Sequence, residues 1–305
     1  MSAVEAKGQL LSNGDVSLWV QEIGPQSGEA MLLIAGANAS GLMWPDSFVR
    51  LLASKGFRVI RYDHRDTGRS THRPFDDAPY GIEDLANDAV GVLNGLNIER
   101  THVVGLSMGG TIGQVLALDH PGRLMSLTLM LTAALDVDFA GNFQMALQGE
   151  IPAEGLPIPR PDVVAHLSRM FTPGRTLEEE LQRRIEQWRV LAGRAMPFCE
   201  GEFRQHELAA IQHAGTFIPP ISHARARPVP IERGAELSRV STPTLVIQGS
   251  EDPLNPPPHG AHIAAMIPGA ALVEIIGLGH ALPSAVHPEI AEAIAQHARR
   301  HSPSH

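Results

Sequence analysis

The residues of this chain best suited to chemistry are a serine, an aspartate and a histidine far apart in sequence. Ser107 sits in Gly105-Leu106-Ser107-Met108-Gly109-Gly110, after His102-Val103-Val104 and before the helically spaced Ile112, Val115, Leu116 and Leu118. This reads as a strand, a tight turn and a helix, the setting in which a serine projects its hydroxyl above a sheet. The flanking glycines answer a steric need, because a Cβ two residues before or after the serine would crowd a strained turn. A serine hydroxyl is a poor nucleophile at its own pKa and needs a base. His280, in Gly277-Leu278-Gly279-His280, can take that proton and return it to a leaving group. Asp252, in Gly249-Ser250-Glu251-Asp252-Pro253, can hold the imidazole tautomer and stabilise the imidazolium. Each of the three follows an apolar, strand-like run, and serine, acid, histidine is a known chain order for such a triad. Asp136, with Asp138 beside it, is a rival acid after the strand that follows the serine helix. Asp252 is preferred because its turn aims a carboxylate at the last loop.

Attack on a carbonyl also needs donors for the negative charge that develops, each worth on the order of 3–4 kcal/mol in the transition state. Met108, next after the serine and at a helix N-terminus, offers one backbone N–H. The second should come from the small-residue loop Gly36-Ala37-Asn38-Ala39-Ser40-Gly41, with Ala37 the candidate and Gly36 the alternative. Gly36, Asn38, Trp44, Phe143, Met170 and Trp188 are the expected substrate contacts. The charged turn Asp63–Ser70 is read as structural, its side chains bonding loop backbone beside the site.

These residues must be positioned by alternating strands and helices. Val16–Val20 alternates after a turn signal at Asn13-Gly14-Asp15 and predicts a hairpin strand. Ala30–Ile34 is a short continuous apolar run, the mark of a strand buried on both faces. Strands at Phe57–Ile60, Leu124–Leu131, Pro243–Gln248 and Ala271–Ile276 alternate with helical spacing at 48–52, 81–96, 258–266 and 288–300. That alternation implies a mostly parallel sheet flanked by helices. Residues 137–235 lack a clear buried strand and carry prolines and helix-like segments, one opened by a Thr176-x-x-Glu179 capping box. They predict a helical lid inserted into a core made of residues 1–136 and 236–305. Most of the lid's apolar residues should form its own core and a minority should line a pocket.

Composition sets bounds on partners. The 305 residues are 43% hydrophobic and 19% charged, ordinary for a globular protein able to bury a large core. A net charge of −9 argues against a nucleic-acid or anionic-membrane partner. The single Cys199 allows no internal disulfide, and residues 1–15 show no signal-like apolar core. The apolar run Leu127–Leu135 is far shorter than the roughly 20 residues that cross a bilayer. A cytoplasmic protein is expected. His259 and His262 share helical spacing but have no further ligand nearby, and they and most other histidines are read as surface groups.

The chain resembles the serine α/β-hydrolases and, more narrowly, the family of aclacinomycin methylesterase, the anthracycline methylesterases. The matching stretches are Met43–Asp46, Arg61–Thr71, His102–His120, Leu135–Phe139, Pro243–Gly260 and Gly277–His287. The resemblance implies an α/β-hydrolase fold with Ser107, Asp252 and His280 as triad and Ala37 and Met108 as oxyanion donors. It further implies removal of a methyl ester from a bulky polyketide without cofactor or metal. The match weakens from about Asn142 to Pro230, the part that shapes the pocket. The expected function is therefore a carboxylic-ester hydrolase acting on a small-molecule ester and water through an acyl-enzyme. An enol-lactone hydrolase is the alternative, since Gly-Leu-Ser-Met-Gly-Gly also resembles that family's serine turn. A non-catalytic ligand receptor of the same fold comes third. Neither substrate identity nor oligomeric state follows from the sequence.

Overall fold

A computed structural model describes residues 8–150, 152 and 154–302. The strands are β1 (Gln9–Asn13), β2 (Val16–Ile23), β3 (Ala30–Ile34), β4 (Arg58–Tyr62), β5 (Thr101–Leu106), β6 (Leu124–Met130), β7 (Thr244–Gly249) and β8 (Ala271–Ile275). They form one sheet in the order β1-β2-β4-β3-β5-β6-β7-β8. β1, β2 and β4 pair antiparallel, and every pairing from β4 onward to β8 is parallel. The central strands β3, β5, β6 and β7 are buried along their whole length, which is why they read as unbroken apolar runs rather than alternating ones. β8 lies at the edge, with only Ile275 buried.

Helices cover both faces. On one, α2 (Ile82–Gly95), α3 (Met108–Asp119) and α8 (His259–Met266) pack Leu85, Val92, Ile112, Val115 and Ile263 onto Leu32, Ile34, Val103 and Leu129. On the other, α1 (Asp46–Ser54) and α9 (His287–Arg300) bury Phe48, Leu52, Ile290 and Ile294 against Met31, Leu33, Val104 and Ile247. Neighbouring residues of one strand therefore serve opposite cores, the period-2 geometry of a pleated strand. Among the described residues no helix is long and apolar enough to cross a membrane.

Between β6 and β7 the chain makes α4 (Phe139–Gln148), α5 (Pro161–Ser168), α6 (Leu177–Leu191) and α7 (Glu200–Ala214), then 3-10 turns at Ser222–Arg225 and Ile231–Arg239. Thr176 caps α6 by accepting from the Glu179 N–H at 3.2 Å. The interior of this segment is less apolar and less self-contained than its composition suggested. Val163 and Leu191 pack with Leu254, and Ala192 and Phe203 pack with Ala281, so its small clusters borrow residues from the loops after β7 and β8. Charge does much of the remaining joining. Fully buried Glu180 takes Arg183 and Arg184, and Arg184 reaches on to Glu207 of α7 at 2.9 Å.

Histidine placement departs from the surface reading. His259 is buried and donates to the Pro157 carbonyl at 2.8 Å, while His262 pairs with Asp136 at 2.9 Å. His297 is buried on α9 against the Pro243 carbonyl, and His305 lies outside the described residues. Burial holds the pKa of His223 down to about 3 and that of His297 to about 4. Unfolding returns both to an ordinary value of about 6.5, so the unfolded chain binds more protons as pH falls below that value. Their contribution to stability is whole above about pH 6.5 and is lost as pH drops toward the folded values. Urea-unfolding free energy should fall between about pH 6.5 and 4, and His297→Gln should flatten the decline. An unchanged pH profile in that variant would remove His297 from the account.

Candidate active site

Ser107 occupies the turn between β5 and α3 with φ 56° and ψ −121°. Its N–H donates to the Met130 carbonyl at 2.9 Å, and its carbonyl accepts from the Gly110 N–H at 2.8 Å. The glycines around it leave no space for a side chain. A Cβ on Gly105 would stand 2.1 Å from the Gly109 oxygen, one on Gly109 2.2 Å from the Ile34 oxygen, and one on Gly110 2.6 Å from Thr132 Cγ2. The turn is thus wedged between β3, β6 and its own helix, and Met108 begins α3 with its N–H at the helix terminus.

Asp252 and His280 come together from the ends of β7 and β8. His280 Nδ1 lies 2.9 Å and 3.0 Å from the two Asp252 carboxylate oxygens, with both residues buried. The carboxylate also accepts from the backbone N–H groups of Leu254 at 2.8 Å and Asn255 at 2.9 Å. Asn255 in turn donates from its amide to the Leu131 carbonyl at 2.9 Å, tying the acid's loop to the end of β6. His280 is fixed from the other side by its own N–H, which donates to the Leu191 carbonyl at the end of α6 at 2.6 Å. Gly279 is required there, since a Cβ would stand 2.2 Å from that same oxygen. Neither the Ser107 hydroxyl nor His280 Nε2 makes a hydrogen bond to a described residue. In free enzymes such contacts are often long and tighten only when substrate is bound.

The rival acids are committed elsewhere. Asp136 pairs with His262, and Asp138 caps α4 by accepting from the Gly141 N–H at 2.9 Å. The two candidate amides of the first loop are also separated by their partners. The Gly36 N–H donates to Met43 Sδ at 3.1 Å, whereas no described residue takes the Ala37 N–H, and Ala37 is exposed. The turn after β4 does grip backbone. Asp63 accepts from Gly41 N–H at 2.8 Å and Arg69 N–H at 2.7 Å, and the His64 ring reaches the Ala35 carbonyl at 3.0 Å.

A cavity of about 800 Å3 opens beside His280. Leu106, Met43, Trp188, Phe203 and Leu282 give it an apolar wall, while Asp46, Arg61, Glu202 and His206 make another part polar. Trp188 is therefore on the wall, its indole N–H held by Glu207 at 2.6 Å and its ring stacked on Phe203 at 5.5 Å. Trp44 is not. It is fully buried, stacked on Phe48 at 5.7 Å, so the expected substrate contact is a core residue. Phe143 lies half-buried on α4 near Phe139, and Met170 sits half-buried in the 3-10 turn Arg169–Phe171; neither is on this wall. Asn38 is held by His223, whose Nδ1 accepts from the Asn38 N–H at 2.8 Å. Sequence spacing gave no sign of Asn255, Met43, the Leu191 carbonyl or His223, because each reaches the site only through tertiary contacts.

Comparison with known proteins follows the same line. The alpha/beta hydrolase fold family matches residues 29–283. Rhodomycin D methylesterase DnrP of Streptomyces peucetius is 50% identical over 291 residues, which cover 95% of this chain and 98% of that protein. The crystal structure of a hydrolase from Pseudomonas aeruginosa PA01 matches with a TM-score of 0.65 and 27% identity, covering 98% of this chain and all of that one. The enol-lactonase of Burkholderia xenovorans LB400 matches with a TM-score of 0.65 at 22% identity, covering 96% of this chain and 99% of its own, a likeness of fold.

The geometry separates the two acids experimentally. Asp252→Asn should lower kcat on a simple ester by about 10⁴-fold, as loss of the tautomer-holding carboxylate does in such triads. Asp136→Asn should stay within about threefold of the parent, since Asp136 serves His262 at the surface. The opposite ranking in an esterase assay would transfer the acid's role to Asp136.

Proposed function

Because this chain belongs to the alpha/beta hydrolase fold family, we propose that it removes the methyl group from a methyl ester carried on a bulky polycyclic molecule. Ester hydrolysis itself follows from its membership and from 50% identity to a methylesterase along nearly the whole chain. The observation that supports the assignment of residues is the buried Asp252–His280 pair, whose His280 lines the cavity together with Leu106, the residue before Ser107 in the chain.

In this reading Ser107 Oγ attacks the ester carbonyl while His280 Nε2 takes its proton. Asp252, accepting a hydrogen bond from Nδ1–H, stabilises the imidazolium without taking the proton. The oxygen that gains charge is met by the N–H groups of Met108 and Ala37. Collapse expels methoxide, which leaves as methanol with the proton from His280. A water then gives its proton to His280 and attacks the acyl-enzyme, and the second collapse frees the carboxylic acid and restores the serine. No redox step occurs, and substrate and water supply every atom transferred.

The size and lining of the cavity support the substrate class. About 800 Å3 exceeds what a simple acyl group needs, and the apolar wall of Trp188, Phe203, Leu282 and Leu106 suits a flat ring system with a polar margin toward Asp46, Arg61, Glu202 and His206. The rhodomycin D of the relative's name points to an anthracycline-like ester. The likeness to an enol-lactonase, being one of fold, gives the lactone alternative less support. The helices between β6 and β7 would act as the lid over the pocket. The single Cys199, leaving no internal disulfide to form, supports a cytoplasmic setting.

Ser107→Ala should lower hydrolysis of a polycyclic methyl ester by more than about 10⁴-fold while the parent enzyme releases one methanol per acid formed. The parent should also turn over that ester faster than an enol lactone. Retained activity in Ser107→Ala would overturn the nucleophile, and preference for the lactone would overturn the substrate class.

A further inference from the structure

The inserted segment reaches beyond the cavity and takes hold of the loop that carries Ala37. The Asn38 N–H donates to His223 Nδ1 at 2.8 Å, and the His223 N–H donates back to the Asn38 side-chain oxygen at 3.1 Å. His223 Nε2 then bonds the Arg65 carbonyl at 3.1 Å. A backbone amide on one ring nitrogen and a carbonyl on the other fix the tautomer, with Nδ1 accepting and Nε2–H donating. We propose that His223 is a positioning residue for ester hydrolysis, clasping Asn38 so that the neighbouring Ala37 N–H is held toward the reacting carbonyl. The inference rests on the reading above in which that N–H meets the developing oxyanion.

Several observations converge on this role. Asn38 has φ 57°, in the left-handed region that asparagine tolerates better than most residues with a side chain, and the two bonds to His223 hold it there. The loop is gripped at three places. His64 holds the Ala35 carbonyl, Asp63 holds the Gly41 N–H, and His223 holds Asn38 between them. Only the middle grip comes from the inserted segment, and it lies next to the amide that no described residue takes. His223 is itself buried and stands edge-on to His64 with ring centroids 5.3 Å apart.

The His223 segment is in turn fastened to the turn and loop after β4. The Arg227 N–H donates to the Tyr80 carbonyl at 3.0 Å, the Ile82 N–H donates to the Arg227 carbonyl at 3.1 Å, and Arg225 pairs with Asp76. His213 at the end of α7 reaches Asp63 at 2.7 Å. This part of the insertion is thus a strut built into the core. Burial keeps His223 neutral down to about pH 3, so its accepting nitrogen stays available at any ordinary working pH.

Removing one donor from an oxyanion site costs about 10²–10³-fold in kcat, and loosening one should cost part of that. His223→Ala should therefore lower kcat on a methyl ester about 10- to 100-fold with KM within about threefold. The inhibition constant of an aryl boronic acid, which forms a charged tetrahedral adduct on the serine, should weaken by the same factor as kcat/KM. His223→Asn, whose amide oxygen can accept from the Asn38 N–H, should restore most of the loss. If His223→Ala does not fold, Asn38→Gly carries the test, since glycine keeps φ 57° without strain and deletes only the side-chain half of the clasp. A several-fold loss of kcat with matching loss of boronate affinity is expected there. Unchanged kcat in the folded variant, or lowered kcat with unchanged boronate affinity, overturns the proposal. Ser107→Ala assayed beside them keeps the failures apart, because its full loss of activity with an unaffected His223 variant defeats the clasp alone, while its retained activity defeats the reading beneath it.

Discussion

At Ser107 the backbone turns through φ 56° and ψ −121°, a conformation costly for any residue with a Cβ, and it persists only because the surrounding structure holds it. It is held by contact more than by bonding. Gly105, Gly109 and Gly110 let β5, the start of α3, β3 and Thr132 close to distances at which a single methyl group would collide with backbone or with the Thr132 side chain. Close packing on this scale transmits position as well as stability. The serine is set relative to β3, and therefore relative to the loop that begins at Ala35.

The acid and the base depend on the same sheet by another route. β6 separates β5 from β7, and the Asn255 amide reaches back to Leu131 at the end of β6, so the Asp252 loop is registered against the neighbour of the serine's strand. His280 belongs to an edge element, the loop after β8, and a sheet edge alone would locate it poorly. The Leu191 carbonyl supplies what the edge lacks by accepting from the His280 N–H against a glycine that has no side chain to keep it away. The inserted helices therefore help to place the base as well as to shape the cavity, and a core stripped of them would lose part of its active geometry along with its pocket.

Much of this was open to reading from the chain, for physical reasons that also explain what was not. Ala30–Ile34 announced itself because a strand buried on both faces has no polar positions to lose, and the structure places β3 at those residues. Thr176 was legible because a cap is a local bond, made within a few residues. The nearness of Asp252 to His280 followed from strand ends and chain order. Trp44 was misread because closeness in sequence to the small-residue loop says nothing about which way a ring packs, and Phe48 one turn further on draws it into the core. His259 was misread for a related reason. A histidine becomes buriable once a carbonyl is waiting for its N–H, and Pro157 lies about a hundred residues away in sequence. The clasp between Asn38 and His223 spans a still longer separation and carries no motif at either end.

The polar groups buried beneath the cavity are a poor source of stability. Asp63 and Glu180 are fully buried, and the desolvation of such carboxylates offsets a large part of what their partners return, although the arginines around Glu180 still hold its carboxyl below the usual range. What they supply is register. Asp63 accepts from Gly41, Arg69 and His213, so one carboxylate joins the first loop, the turn after β4 and the end of α7. Glu207 joins Arg184 of α6 to the indole of Trp188 on the cavity wall. An apolar core of the same volume would hold these elements as tightly but would let them slide, because dispersion contacts are nearly indifferent to small translations. Hydrogen bonds to a fixed carboxylate are not, losing most of their worth over an ångström or at a poor angle. A site that must aim a backbone N–H, an imidazole and a hydroxyl at one carbon gains more from that intolerance than from additional stability.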